Sequence, residues 1–274
     1  MKKAALAILL CTVYVLGFGQ SRFSLPFSSS YDEDAILLMG IQYNYVNQNY
    51  QLKLKEDWQR NKIIYPGPGE NIHNVDNVSS INSHNSHGFS VSIPLDLRVN
   101  PNVYFAFSPS FLFINNSGID YVGSNQTMRR RMRHLKDTQT GTNFNAFEFP
   151  LSIKYRSDEK TLKNKFNRYR GYVLGGLRYT RFIGINKEYD GLVRELQNST
   201  IPQSLIMKSE YPSWEVGIGA DIFFPYFKVS PEIRFNQSFG SVLDKDHHLA
   251  QSNKFMEPID KALIRNIYVS LIFQ

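Results

Sequence analysis

Along most of this chain, apolar and polar residues alternate with the two-residue period of a strand that has one greasy and one polar face. The first such stretch sets Leu37, Met39, Ile41, Tyr43 and Tyr45 against Leu38, Gly40, Gln42 and Asn44. The second sets Phe89, Val91, Ile93, Leu95 and Leu97 against Ser90, Ser92, Pro94, Asp96 and Arg98. After the turn at Val99–Asn102 comes the third, with Val103, Phe105, Phe107, Phe111 and Phe113 opposite Tyr104, Ala106, Ser108 and Ser110. In the fourth, Phe147, Phe149, Leu151, Ile153 and Tyr155 oppose Glu148, Ser152, Lys154 and Arg156. A fifth places Val173, Leu177 and Tyr179 opposite Leu174, Gly176 and Arg178. The sixth runs Trp214, Val216, Ile218, Ala220 and Ile222 against Glu215, Gly217, Gly219 and Asp221. Beyond a tight Phe223–Tyr226 turn, Phe227, Val229, Ile233 and Phe235 oppose Lys228, Ser230, Glu232 and Arg234. The last carries Ile267, Val269, Leu271 and Phe273 on its apolar face and runs to the C-terminus.

The spacing therefore predicts eight strands, and their connections alternate in length. The second and third, fourth and fifth, and sixth and seventh strands are joined by roughly four to twelve residues, the other pairs by roughly 25 to 40. An even strand number with short turns at one end and long loops at the other predicts an all-β fold, an eight-stranded antiparallel up-and-down transmembrane β-barrel of the outer membrane. Both termini are then periplasmic and the long loops extracellular. Long loops without regular structure of their own weigh against a compact soluble domain.

Composition sharpens this. Mean hydropathy is −0.33, and beyond the N-terminus there is no run of eighteen apolar residues, which excludes a helical membrane protein. A 42% hydrophobic content excludes a disordered chain. The 20 phenylalanines and 16 tyrosines fit a lipid-facing wall better than a soluble core. Tyr43, Tyr45, Tyr155, Tyr179, Trp214, Tyr226, Phe227 and Phe273 are candidates for interfacial girdles. The single cysteine, Cys11, excludes a disulfide scaffold. It sits inside an apolar run, Ala4–Phe18, that follows Lys2 and Lys3 and ends at Gly17 and Gly19, the pattern of a secretory signal peptide. Leu10 stands before Cys11 where lipidation needs a small residue. The expected division is a signal peptide at 1–19, a polar linker at 20–33 and a barrel domain at 34–274. Loss of Lys2 and Lys3 lowers the formal charge from +7 to +5.

On the polar face, Asp96, Glu148, Glu215, Asp221 and Glu232 accompany Arg98, Lys154, Arg156, Arg178, Lys228 and Arg234. An eight-stranded barrel has an interior that side chains fill. These eleven residues are thus expected to form a nearly balanced network of ion pairs plugging the lumen, since an unpaired buried charge costs several kcal/mol. Gly40, Gly176, Gly217 and Gly219 on the same face are expected to make room for bulky neighbours or to relieve curvature.

Three segments resemble the PorT family of outer-membrane barrels from the Bacteroidota. They are Gly88–Arg98, Asn100–Ser110 and Asn143–Lys154, with Ile93-Pro94-Leu95, Ser108-Pro109-Ser110 and Phe149-Pro150-Leu151 after Glu148 as the most specific pieces. The resemblance covers roughly residues 33 to 274. It implies a non-catalytic component of the type IX protein secretion system, which exports proteins across the outer membrane and supports gliding motility in some species. The alternative is a general structural or adhesion barrel, or a small passive porin, with no secretion role.

Other candidate chemistry is sparse. Arg129, Arg130, Arg131, Arg133 and Lys136 form the densest basic run, a possible patch for lipopolysaccharide or an acidic partner. No nucleic-acid module is recognisable. His73, His84 and His87 share a loop with Asp76, but their spacing matches no compact metal pattern. No histidine falls within the strand spans to serve a serine or histidine nucleophile–base pair. Catalysis, metal, cofactor and small-molecule substrate are not expected; outer-membrane lipids and other secretion-system or envelope proteins are the expected partners.

Overall fold

The structure is a computed structural model that describes residues 23–24, 35–60, 63–66, 72–75, 78–115, 117–123, 127–130, 143–161, 168–187, 189–190, 205–251 and 253–274. The expected signal segment and most of the linker lie outside these residues. Each of the eight alternating segments contains strand, although Gly40, Ile93, Pro94, Ser108 and Phe227 fall outside the strands. In chain order the strands are β1 (Phe23–Ser24), β2 (Leu37–Met39), β3 (Ile41–Leu54), β4 (Ile63–Pro66), β5 (Ile72–Val75), β6 (Val78–Ser83), β7 (Ser86–Ser92), β8 (Leu95–Arg98) and β9 (Val103–Phe107). They continue with β10 (Ser110–Asn115), β11 (Ile119–Gly123), β12 (Thr127–Arg130), β13 (Asn143–Arg156), β14 (Lys160–Thr161), β15 (Arg168–Phe182), β16 (Glu210–Phe223), β17 (Lys228–Ser238) and β18 (Ile259–Phe273).

The main sheet has thirteen strands rather than the eight read from the alternation. Two of them, β1 and β14, are two-residue additions at its margins. The other difference comes from breaks at Gly40, at Ile93–Pro94 and at Ser108–Pro109, which cut segments whose alternation runs on unbroken. Proline has no N–H to give to a ladder, and the ladder is interrupted at Pro94 and Pro109, whereas Pro150, Pro212 and Pro231 are carried inside unbroken β13, β16 and β17. The chain compensates with cross-strand bonds to the proline carbonyls: Gly40 N donates to Pro94 O at 3.1 Å, and Ile93 N to Pro109 O at 3.1 Å.

The antiparallel pairings return to their start. β3 pairs with β7, β7 with β10, β10 with β13, β13 with β15, β15 with β16, β16 with β17, β17 with β18, and β18 with β3. Toward the short-turn end, β2, β8 and β9 carry the same order down to β13. A ring of this kind leaves no long unpaired edge. Its sidedness is the reverse of a water-soluble barrel. On β13, Phe147, Phe149 and Leu151 are 47%, 41% and 56% exposed, while Glu148, Ser152 and Lys154 are buried. The outward rings form a continuous row over β3, β7, β10 and β13, from Tyr43 to Phe89, Phe89 to Phe113, along β10 from Phe113 to Phe111, and Phe111 to Phe147, with centroids 4.5–6.2 Å apart. An apolar surface this continuous is built to face something other than water.

The expectation of long loops without regular structure is not met. They carry a two-stranded sheet, β4 and β5, and a three-stranded one, β12–β11–β6. They also build a second apolar core over the long-loop end. Val78, Ile81, Ile119, Tyr121, Leu205, Ile206, Met207, Val242, Leu243, Phe255 and Met256 are buried there with Val46, Leu112 and Ile114 from the barrel strands. Polar groups drawn into this cap are satisfied: the Tyr121 hydroxyl donates to Phe255 O at 2.5 Å, and Met207 N donates to the Tyr189 hydroxyl at 2.8 Å. The loops fold because each holds a few apolar residues too scattered to show a period, and these find one another only where the loops converge.

Candidate functional site

Two-residue periodicity sends every second side chain of the barrel strands inward, and the buried charges lie in two linked layers. In the layer nearer the long loops, Arg178 donates through Nη1 to Glu148 Oε2 at 2.8 Å and through Nη2 to Glu215 Oε2 at 2.6 Å. Arg234 reaches Glu215 Oε1 through Nη1 at 2.9 Å and pairs with Glu232 through Nε. Hydroxyls take up remaining acceptor capacity: Tyr268 donates to Glu148 at 2.7 Å, Ser110 to Glu148 at 3.0 Å, Ser152 to Glu215 at 2.5 Å and Tyr172 to Glu232 at 2.8 Å.

In the layer nearer the short turns, Lys154 Nζ lies 3.0 Å and Arg156 Nη2 3.1 Å from Asp96 Oδ2. Arg156 Nε is 3.0 Å from Asp221 Oδ2, and Lys228 Nζ is 3.5 Å from Asp221 Oδ1. Gln274, the last residue, turns its amide inward to Asp96 at 3.3 Å. The Arg156 guanidinium lies 3.7 Å over the Tyr104 ring, and that of Arg178 4.2 Å over Tyr268, so both cations also rest on aromatic faces.

Ten of the eleven expected network residues meet here. Arg98 does not; it is only half-buried at the end of β8, paired in register with Tyr104 at the last rung of the ladder. Its departure leaves five carboxylates facing five cations in the buried set. Alternation tells which face a residue shares but not its depth along the barrel axis. Tyr104, Tyr172, Tyr268, Ser110, Ser152 and Gln274 went unrecognised as members; their inward phase was the signal that would have found them.

Glycines shape the plug. A side chain at Gly219 would run into the ring and hydroxyl of Tyr172, and one at Gly217 would come within 2.9 Å of Arg234 Cγ. Gly219→Leu is therefore expected to displace Tyr172 from Glu232 and to lower stability in a urea titration by about 1–3 kcal/mol, whereas Gly171→Leu, with open space at that position, leaves the midpoint almost unchanged.

Little room remains. A cavity of about 10 Å³ lies among Gln42, Asn44, Ser92, Ser108, Arg178 and Tyr268, roughly the space of a single water. Toward the long loops the lining passes from charged to polar, with Asn44 donating to Ser90 Oγ at 2.7 Å and Gln48 to Ser117 Oγ at 3.0 Å, and then to the apolar cap.

The remaining candidates do not converge. Arg129 and Arg130 stand on β12, in register with Asp120 and Ile119, while Arg131, Arg133 and Lys136 lie outside the described residues. His84 lies 3.3 Å from Asp120, whereas His87 sits on the barrel wall with Tyr45 at 2.5 Å. His73 is on β5, and Asp76 is outside the described residues. Among the described residues no group of three or more His, Cys, Asp or Glu is placed to hold a metal ion.

Comparison with known proteins bears on the scaffold. No curated protein matches the sequence. Crystal structures of Ail, the attachment invasion locus protein of Yersinia pestis, are similar at 10% identity over 86% of this chain and 96% of theirs. Their TM-scores are 0.30 and, for Ail in complex with the heparin analogue sucrose octasulfate, 0.31. The family described as outer membrane protein beta-barrel domain matches residues 68–244, which run from the first long loop through β17 and include all ten charged residues of the lumen plug. With its antiparallel ring, outward apolar belt and charged interior, this chain belongs to the outer membrane protein beta-barrel domain family.

Proposed function

We propose that the chain is a closed, non-catalytic outer-membrane barrel of eight staves, with periplasmic termini and extracellular loops, that serves type IX secretion through its surfaces and not through its lumen. The observation that carries the closed reading is the interior itself: paired charges and hydroxyls, with a cavity of only about one water's space beside Arg178. Eight staves follow when the segments cut at Gly40, Pro94 and Pro109 are joined, since the pairing ring then has eight members. The orientation rests on the loop asymmetry of outer-membrane barrels. The secretion role rests on the resemblance of the strand motifs around Pro94, Pro109 and Pro150 to the PorT family.

A passive porin is disfavoured by the same interior. In planar bilayers the purified protein is expected to give no steady conductance at 1 M salt; open-channel steps would overturn the sealed-lumen reading. A structural or adhesion barrel is the second reading, favoured by the ordered cap, where Lys55, Lys245 and Lys254 line a surface cavity of about 270 Å³. Deletion separates the two. A secretion component, once lost, leaves cargo in the periplasm while the outer membrane stays intact, whereas a normal secretome with weakened envelope or surface contacts favours the second.

A further inference from the structure

A groove of about 550 Å³ runs along the outside of the barrel at its long-loop rim, between β13, β15 and the segment that follows β15. Its size is that of a ligand site. One wall is the outward face of Phe147, Phe149 and Tyr179. These positions are neighbours in the ladder, Phe149 opposite Tyr179 and Phe147 opposite Arg181. The other wall is Ile183–Lys187, which leaves the sheet at Gly184, where φ is +77°. That conformation favours glycine and turns the chain across the wall. The segment is held at both sides: Ile183 N donates to Asn145 O at 3.0 Å, and Phe182 and Ile185 are buried in the cap.

We propose that this groove binds one phosphorylated acyl lipid, its chains on Phe147, Phe149 and Tyr179 and its phosphate at Arg181 and Lys187. The inference rests on the transmembrane reading and its orientation, and deepens it by naming a lipid site. Two observations select the occupant. The aromatic floor continues into the exposed belt of Leu151, Ile153 and Leu177, so an acyl chain is the apolar molecule that reaches it. Among the described residues the charged side chains lining the groove are Arg181 and Lys187, both exposed at the rim where a phosphate would sit. Glu210 stands nearby, opposite Arg181 in the ladder, but takes the Tyr179 hydroxyl and does not line the groove.

The test is native mass spectrometry of the full-length mature protein in octyl glucoside, titrated with diphosphoryl lipid A. The wild type is expected to retain one lipid in preference to further copies. Arg181→Ser with Lys187→Ser should weaken retention by about ten-fold or more, as should replacing the probe with its dephosphorylated form. Phe147→Ala with Phe149→Ala should weaken it through the chains, and Lys245→Ser with Lys254→Ser on the cap should leave it unchanged. Retention by the Arg181/Lys187 variant equal to wild type overturns the proposal, and so does full displacement by inorganic phosphate, which would mean an anion site without a lipid. Heat-dependent gel mobility of each sample keeps the two readings apart. Loss of the mobility shift in the wild type counts against the barrel, whereas an intact shift with unaltered lipid retention counts against the site alone. Because Arg181 and Lys187 are exposed, their variant decides the outcome even if the phenylalanine variant fails to fold.

Discussion

Arg178→Met should lower the unfolding free energy of the barrel by about 3–5 kcal/mol, the cost of removing one member of a buried charge cluster. Arg178 bridges two carboxylates, at 2.8 Å to Glu148 and 2.6 Å to Glu215, and both acids are fully buried. Methionine keeps much of the volume but donates nothing. Glu215 retains Arg234 and Ser152, and Glu148 retains only the hydroxyls of Tyr268 and Ser110, so Glu148 bears the larger loss. Water cannot make it good, because the adjoining void holds about one molecule. Urea titration in lipid vesicles, followed through Trp58 and Trp214, measures the effect. Adding Glu148→Gln to Arg178→Met should recover part of the loss, since the uncompensated charge is then gone, while Lys261→Ala on the exposed side of β18 stays within about 0.5 kcal/mol. A stable Arg178→Met barrel would mean that the charges do not hold the plug together.

Ile206→Asp should open the cap and leave the barrel standing. Ile206 is fully buried among the loop residues, and its carbonyl accepts from Asp244 N at 2.9 Å. Its described surroundings are an apolar cluster, and burying a carboxylate unpaired costs several kcal/mol; the cap relieves that cost by unfolding locally. About 3 kcal/mol of destabilisation corresponds to opening more than a hundred-fold more often. Trypsin should then cut at Lys208, Lys245 and Lys254 at least about a hundred-fold faster, while the heat-dependent mobility shift of the barrel persists. Unchanged proteolysis would show that the loops do not share one cooperative core. Loss of the mobility shift would show that cap and barrel fold as one unit. Ile206→Val, which removes one methyl group, should have only a small effect of about 1 kcal/mol.

The two variants probe features of unequal visibility in the sequence. The inward phase of Arg178, Glu148 and Glu215 is plain from alternation, because a strand allows only two faces. Which acid meets which base is not. In the ladder Arg178 lies opposite Pro150 on one side and Ser213 on the other, and its partners are the diagonal neighbours Glu148 and Glu215, each two positions along. That geometry needs the register of three strands and the reach of a guanidinium across it. Arg98 makes the same point from the other direction, sharing the phase of Asp96 but standing at the rim. The cap was invisible for a different reason: Leu205, Ile206 and Met207 are three apolar residues in a row, with neither a strand nor a helix period, and Phe255 and Met256 meet them from about fifty positions away.

By itself, then, the sequence determined which residues face out and which face in, the number and order of the alternating segments, and the unequal lengths of their connections. These are local properties, written in a period of two and in the distance between turns. Tertiary structure alone decided which prolines break a strand, the pairing of charges within the plug, the small cavity beside Arg178, the apolar cap and the groove beside Gly184. Each of these depends on contacts between residues far apart in the chain, and such contacts exist only once the ring has closed and set the register.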